Sequence, residues 1–316
     1  MTFRFIKIIG TLIILLGFNY LFKNIINPYI TQIVCLIGIN LIMGLSLNLI
    51  SGQTGQFSLG HAGFMALGAY TSAFVTFYGE AYVVGVLSFL PAVVVQQALF
   101  VVALVSGGLV ASLAGLVVGI PTLRLTGDYL AIATLGFAEI VRVSILNTEV
   151  LGGARGFTGI GEYGNFFWIF LCVVITTLVL KNMVYSTKGL AFLAVRDNEI
   201  AAQAMGINIA RQKVFAFVTS AFFAGVGGGL FAHLMTYLNT NSFGFLKSVE
   251  FVVMIVLGGL GSMSGVFISA TLLTVLPEVL RAASEWRMVV YSLLLILMMI
   301  LRPQGLLGMR EIFKKR

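Results

Sequence analysis

The stretch "ITQIVCLIGINLIMGLSLNLISGQTGQFSLGHAGFMALGAY", residues 30–70, decides the fold. Residues 30–50 carry no charged side chain and match the roughly 20 apolar residues that span a bilayer core. In lipid every backbone N–H and C=O needs a partner within the protein, which leaves helices or closed barrels. A barrel strand is an alternating segment of about 10 residues, and this run is too long and too continuous for one. The run is read as a membrane-spanning helix. Its continuation, dense in glycine and polar residues, then needs a separate explanation.

The same pattern recurs along the whole chain. Of 316 residues, 59% are hydrophobic and 9% charged, against about 25% charged in a soluble domain. Spanning runs are expected at 6–22, 29–50, 64–79, 98–120, 129–147, 164–182, 212–235, 243–261, 264–281 and 286–301. The fold class is therefore an all-α, polytopic integral membrane protein with about ten transmembrane helices and re-entrant or broken segments. The apolar stretch 83–97 is left over as a re-entrant or interfacial piece. The run Ile6–Phe22 follows Arg4 and Lys7 like a signal peptide, but no small-residue cleavage site follows, so a retained helix is expected. Cys35 and Cys172 sit inside apolar runs and read as core residues.

Basic residues orient the chain, because Lys and Arg concentrate in cytoplasmic loops. Lys181, Lys188, Arg196, Arg211 and Lys213 mark the loop at about 183–211 as cytoplasmic. Arg302, Arg310, Lys314, Lys315 and Arg316 place the C-terminus on the same side. Four spans fit between them. Segment 148–165 then faces outward, and ten spans also put the N-terminus inside. The net charge of +8 reflects these loops rather than nucleic-acid binding.

Residues 51–70 set Gly52, Gly55, Gly60, Gly63 and Gly68 among Gln53, Gln56, Ser58 and His61. Such glycine density suits either close helix packing or backbone unwound beside a cavity. Polar groups in a bilayer usually face the bundle interior. The functional reading is a broken helix along a solute path. A second stretch, 255–270, carries Gly258, Gly259, Gly261 and Gly265. Transporters often pair glycine-interrupted segments near the membrane midplane, although the turn between two spans would look the same.

"RDNEIAAQAMGIN", residues 196–208, is the most polar run in the middle of the chain. Asp197 or Asn198 can cap a helix start, and Glu199 suits the positive end of the macrodipole. Ala201, Ala202 and Ala204 favour helix with little bulk. Gly206 can stop it in the left-handed conformation, and Asn208 can cap the next helix. The expectation is a helix of about two turns, joined rigidly to a span and presenting a small face to a partner. An amphipathic connector on the lipid surface is the alternative.

Catalytic patterns are missing. The two histidines, His61 and His233, form no H-E-x-x-H, and Cys and His do not cluster at metal spacing. No phosphate loop occurs, since no Lys follows a Gly, and no G-x-S-x-G elbow occurs either. Glu139 and Arg142, three apart, can pair on one helix. Glu250 and Glu278 are weaker candidates for a gate or a subunit contact.

"E-x-A-A-x-x-x-G", Glu199 to Gly206, resembles the loop with which ABC-importer permeases dock into their ATPases. "NLISGQTGQFSLGHAGFMALGAY", "GDYLAIATLGFAEIVR", "SVEFVVMIVLGGLGSMSG" and "RPQGLLG" resemble the LivM branch of the branched-chain amino acid permeases, and the surroundings of 196–208 do too. The resemblance implies one permease domain over 1–316, in a bacterial cytoplasmic (inner) membrane. It also implies a LivH-type permease partner, two cytoplasmic ABC ATPases and a periplasmic or lipid-anchored amino-acid-binding protein. No cofactor is then expected in this chain, because ATP and Mg belong to the ATPases. Arg196, Asp197, Glu199, Ala201, Ala202 and Gly206 become the expected coupling residues. Gly52, Gln53, Gly55, Gln56, Ser58, Gly60, His61, Gly258, Gly259 and Gly261 are the expected path residues, with no metal site. The motif reads Glu199-Ile200-Ala201-Ala202, not a contiguous Glu-Ala-Ala, so contacts of distant importers do not transfer atom by atom. A permease for urea or short-chain amides, a stand-alone secondary transporter and a membrane-embedded enzyme are the rival readings.

Overall fold

In the computed structural model the described residues are 2–86, 91–122 and 127–283, with 289, 292–293, 296–297, 300–302 and 305–308. The apolar runs within them fold as α1 (Thr2–Asn24), α2 (Pro28–Asn48), α3 (His61–Val86), α4 (Ala92–Thr122), α5 (Asp128–Leu146) and α6 (Phe166–Val184). The polar middle gives α7 (Thr187–Asp197) and α8 (Glu199–Ala204), and the chain continues as α9 (Ile209–Met235), α10 (Phe245–Gly258) and α11 (Met263–Val279). Six helical stretches are long and apolar enough to cross a bilayer: Pro28–Gln53, Val93–Pro121, Asp128–Leu146, Phe166–Val184, Ile209–Met235 and Thr240–Gly258. Ile13–Phe22 and Met263–Val279 are shorter apolar helices. The fold is an all-α polytopic membrane bundle. Among the described residues the only bridge between extended segments is an isolated antiparallel pair, Phe157 and Leu238.

Nine of the ten expected runs coincide with these helices, and 286–301 lies largely outside the described residues. One expectation is corrected. Of the stretch expected as a re-entrant or interfacial piece, 83–86 instead continue α3 and 92–97 open α4, while 87–90 lie outside the described residues. Both helices simply run further than their most apolar cores, as amide pairing in lipid favours.

The starts of α2, α8, α9 and α11 follow side chains that answer free N–H groups. Asn27 Oδ1 accepts from Tyr29 N at 3.0 Å, with Pro28 in the first turn of α2. Ser262 Oγ accepts from Gly265 N at 3.0 Å to open α11. Within the bundle, α3, α4 and α9 approach by their glycines. A Cβ on Gly225 would stand 2.6 Å from Gly107 O, one on Gly107 would stand 2.7 Å from Gly68 O, and one on Gly68 would overlap Gly225 O. Only glycine allows three backbones this close, the small-residue packing typical of membrane helices.

Successive spanning helices alternate in direction along the chain, which gives the bundle two distinct ends, although neighbours in space such as α3 and α9 run parallel. α6 closes and α9 opens beside α7 and α8, and α4 closes there too, with Gly115 and Gly119 against Ala221 and Phe217 of α9. The opposite end carries the segment 148–165. Its Phe157 N donates to Leu238 O at 2.9 Å, and Leu238 N donates back to Phe157 O at 3.0 Å. His233 of α9 is fully buried, lying 3.0 Å from Gly161 O through Nδ1 and 3.1 Å from Ser72 Oγ of α3 through Nε2.

Candidate functional site

The polar stretch 196–208 folds much as its residue types dictate. Asn198, extended at φ −160°, ends α7 and caps α8, its Oδ1 accepting from Ala201 N at 3.0 Å. Asn198 rather than Asp197 is therefore the cap. Glu199 lies in the first turn of α8, and Gly206 takes φ +82°. Asn208 Oδ1 then accepts from Arg211 N at 3.0 Å and opens α9. α8 is six residues long, somewhat under two turns.

What holds α8 against α9 is an ion pair that sequence reasoning missed. Lys213 Nζ lies 2.5 Å from Glu199 Oε1. The Lys213 side chain is only 7% exposed, so its ammonium depends on this carboxylate. The pair closes over a 14-residue separation that no helical spacing rule covers. Ala202 is buried against the bundle, while Ala201 and Ala204 face outward. Two larger apolar side chains flank them: Ile200 and Met205, each 82% exposed. The outer face of α8 is therefore small in its middle and knobbed at both ends.

At the same end, the run that began at residue 28 breaks. A single π-helical turn, Leu49–Gln53, carries α2 to its end, and 54–60 are irregular before α3 begins at His61. Several of the freed polar groups are satisfied internally, while the buried Ser51 Oγ and His61 Nδ1 have no partner among the described residues. Thr54 Oγ1 donates to Ile50 O at 2.7 Å, Gln56 Nε2 donates to Thr54 Oγ1 at 2.9 Å, and Thr134 Oγ1 of α5 accepts from Leu59 N at 3.1 Å. Ser58 is fully buried, and a Cβ on Gly60 would overlap Thr134 O. His61 is fully buried, with Nε2 2.8 Å from Ser46 Oγ. Gly55, at φ +72°, is the one proposed path residue of 51–61 on the surface.

The two glycine-bearing stretches meet here. Gly261 N donates to Asn48 Oδ1 at 2.8 Å, and Gln53 Nε2 donates to Gly261 O at 2.7 Å. A Cβ on Gly52 would overlap Gly261 N. Gly258 closes α10 against Gly265 of α11, and Gly259 and Gly261 make the turn with φ +105° and +87°. Arg196, in the last turn of α7, completes the group. Its Nη1 donates to Gly52 O at 3.1 Å and its Nε to Asp197 Oδ1 at 3.1 Å. A Cβ on Gly55 would lie 3.0 Å from Arg196 Cγ. Of the residues proposed for coupling and for the path, Arg196, Asp197, Gly52, Gln53, Gly55 and Gly261 thus meet in one cluster. Glu199 instead pairs with Lys213, Gly60 packs on Thr134 and His61 bonds to Ser46. The cluster lies at the α7–α8 end and not halfway along the bundle, because backbone groups freed where α2 and α10 stop need partners there.

Sequence reasoning missed two further members. Asn48, a lone amide at the end of an apolar run, clamps the 259–262 turn. The tail also returns to that turn: Leu306 N donates to Leu257 O at 2.7 Å, and Gly305 packs on Gly259. The polarity of Asn48 in an apolar run was the available signal, and the "RPQGLLG" motif marked the tail without saying what it would touch. Other charges pair locally, with Glu139 and Arg142 at 2.7 Å and Lys247 and Glu250 at 2.9 Å. Glu278 accepts from Tyr29 OH at the opposite end.

Comparison with known proteins fits this arrangement. The family described as "Branched-chain amino acid transport system / permease component" matches residues 29–301. The high-affinity branched-chain amino acid transport system permease protein LivM of Salmonella typhimurium strain LT2 is 37% identical over 306 residues, covering 86% of this chain and 68% of that protein. LivM of Escherichia coli strain K12 gives the same identity and coverage. The LivH permease protein of Escherichia coli strain K12 is 31% identical over 188 residues, covering 57% of this chain and 59% of that protein. No solved structure matches. A helical bundle that brings the motifs of 48–61, 196–208 and 258–265 together, matched over most of its length, belongs to the branched-chain amino acid transport permease family.

Proposed function

We propose that this chain is the transmembrane permease subunit of an ABC importer that moves branched-chain amino acids inward across the cytoplasmic membrane of a bacterium. Its partners would be a LivH-type permease subunit, two cytoplasmic ATPases and a periplasmic or lipid-anchored binding protein. A zwitterionic solute is costly to place in hydrocarbon, so the bundle must offer a polar path that opens to one side at a time. The sequence has no phosphate loop, so the driving energy enters through α8.

The observation that carries this reading is the bond from Arg196 to the Gly52 carbonyl. It ties the segment that would receive the ATPase to the break that would open and close. In this mechanism ATPase closure shifts α7 and α8 together. The Glu199–Lys213 pair passes the shift to α9, and Arg196 passes it to the junction of 51–60 with 259–262, the cytoplasmic gate. Ile200, Ala201, Ala204 and Met205 form the docking face, while Glu199 points its charge inward.

Ten crossings with both termini cytoplasmic remain the proposed topology. Supporting it, α11 ends beside Tyr29 of α2 at the far end, where Glu278 accepts from that tyrosine. The return of the tail to the 257–259 turn supports placing the tenth crossing between α11 and the tail.

The test is ATP-driven leucine uptake by proteoliposomes holding the permease pair and ATPases, supplied with binding protein. The double substitution Ile200→Asp, Met205→Asp should leave the permease in the membrane while abolishing ATPase co-purification and uptake. Leucine accumulation by this chain without any ATPase would refute the reading.

A further inference from the structure

At the end of the bundle opposite α7 and α8, a cavity of about 520 Å³ opens between α1, α2, the 162–165 loop, the start of α6 and the end of α9. Its size falls within the roughly 300–1,000 Å³ of small-molecule sites. α6 alone separates it from the α7–α8 end by about 28 Å, at 1.5 Å rise per residue.

The lining is chemically mixed. Asn19, Gln32 and Asn165 bring three carboxamides, and Glu162 brings one carboxylate. Among the described residues Glu162 joins no ion pair, and the side chains of Asn19 and Asn165 make no hydrogen bond. The Asn165 backbone, by contrast, donates to Tyr163 O at 2.9 Å and accepts from Ile169 N at 3.2 Å. Gln32 reaches only Met235 Sδ, at 3.8 Å. Asn165 also makes no capping bond, so it leaves the first-turn N–H groups of α6 open. Phe22 and Phe166 stack at 4.5 Å between centroids and form an apolar wall. Asn19 interrupts an otherwise apolar run, and an amide in such a run is costly unless something occupies it.

We propose that this cavity is a binding subsite for a free α-amino acid with an apolar side chain, built where the solute would leave the outer compartment. Glu162 takes the α-ammonium. The amides of Asn19, Gln32 and Asn165, with the open first turn of α6, take the α-carboxylate, as helix N-termini take anions. The Phe22–Phe166 wall takes the side chain. The inference rests on the transport reading above and adds where the substrate is held. A second open cavity, of about 530 Å³, lies beside α8 and the start of α9, but the two charges in its lining, Glu199 and Lys213, are already paired with each other.

The experiment uses the complete importer in nanodiscs without binding protein and measures equilibrium binding of radiolabelled L-leucine. Uptake is measured in parallel in proteoliposomes supplied with binding protein. Glu162→Gln is nearly isosteric at an exposed position. It should weaken leucine binding at least tenfold and cut uptake several-fold. Competition by 4-methylpentanoate, which is leucine without its ammonium, should be much weaker than competition by leucine in the unaltered importer, and the gap should close in Glu162→Gln. Asn19→Leu should lower binding without narrowing that gap. Binding and uptake within twofold of the unaltered importer in both variants would overturn the subsite while leaving the transport reading intact. An unaltered importer that does not take up leucine with ATP would overturn both.

Discussion

Where α2 and α10 stop near α7, the freed backbone groups find partners within the chain: Asn48 and Gln53 on Gly261, and Arg196 on Gly52. Where α1, α2, α6 and α9 meet at the opposite end, Asn19, Glu162 and Asn165 line an open cavity instead. One end is closed by bonds that reach into the α7–α8 segment. The other leaves polar groups free around an apolar wall. Paired polar groups hold a unique arrangement, and although Ser51 Oγ and His61 Nδ1 find no partner among the described residues, the bonds of the first end suit it to transmitting a displacement. Unpaired groups around a cavity are suited to a solute that supplies the missing partners. The contrast matches a machine pushed from one side and loaded from the other.

The largest expected effect removes what both ends share. Gly225→Leu would force a side chain into the α4 backbone, where a Cβ alone already stands 2.6 Å from Gly107 O. Overpacking costs about 1–3 kcal/mol when neighbours can move, and a backbone cannot move far. Monodisperse protein on size exclusion should fall at least tenfold. Normal recovery would mean that the glycine seam is not the common scaffold.

Breaking only the closed end is the next test. Arg196→Ala leaves the Gly52 carbonyl without its side-chain donor, at a cost of about 1–3 kcal/mol if no water replaces it. Uptake should drop tenfold or more at unchanged membrane abundance, while ATP hydrolysis continues. Unimpaired uptake would remove the distinction between the ends.

Glu199→Gln sharpens the same end. It strips the carboxylate from the 7%-exposed Lys213 side chain. Breaking a fully buried pair costs about 3–5 kcal/mol, but Glu199 is 44% exposed, so about 1–2 kcal/mol is expected after solvent screening. The melting temperature should fall by a few degrees, and Lys213→Met should restore part of the loss. Smallest is Asn198→Ala, which removes the α8 cap for about 1 kcal/mol. It should fray α8 and weaken ATPase association several-fold without a measurable change in global melting.

The class of the fold and most helix positions were legible because apolar length is a local property. Cap residues were legible for the same reason: Asn208 and the 198–206 helix depend on neighbours in sequence. The 83–97 stretch was misjudged because polar residues such as Gln96 and Gln97 interrupt the apolarity without interrupting the helix. Their partners, Glu80 and Trp168, come from elsewhere in the chain. His61 stood out in sequence as a polar group near the solute path. In the fold it is a buried residue beside Ser46.

By itself the sequence determined that this chain spans a membrane as helices, where those helices lie, which end carries its basic residues, and that a capped Ala-rich helix follows Arg196. Each of these follows from hydrophobicity or from hydrogen bonds over a few residues. Only the tertiary structure decided that Gly52 meets Gly261, that Arg196 bonds to that junction, that Lys213 pairs with Glu199, and that Asn19 and Glu162 line one cavity. Those pairings span 14 to more than 200 positions, and no sequence periodicity encodes them. They are set by which helices can pack closely enough for their backbone polar groups to find one another.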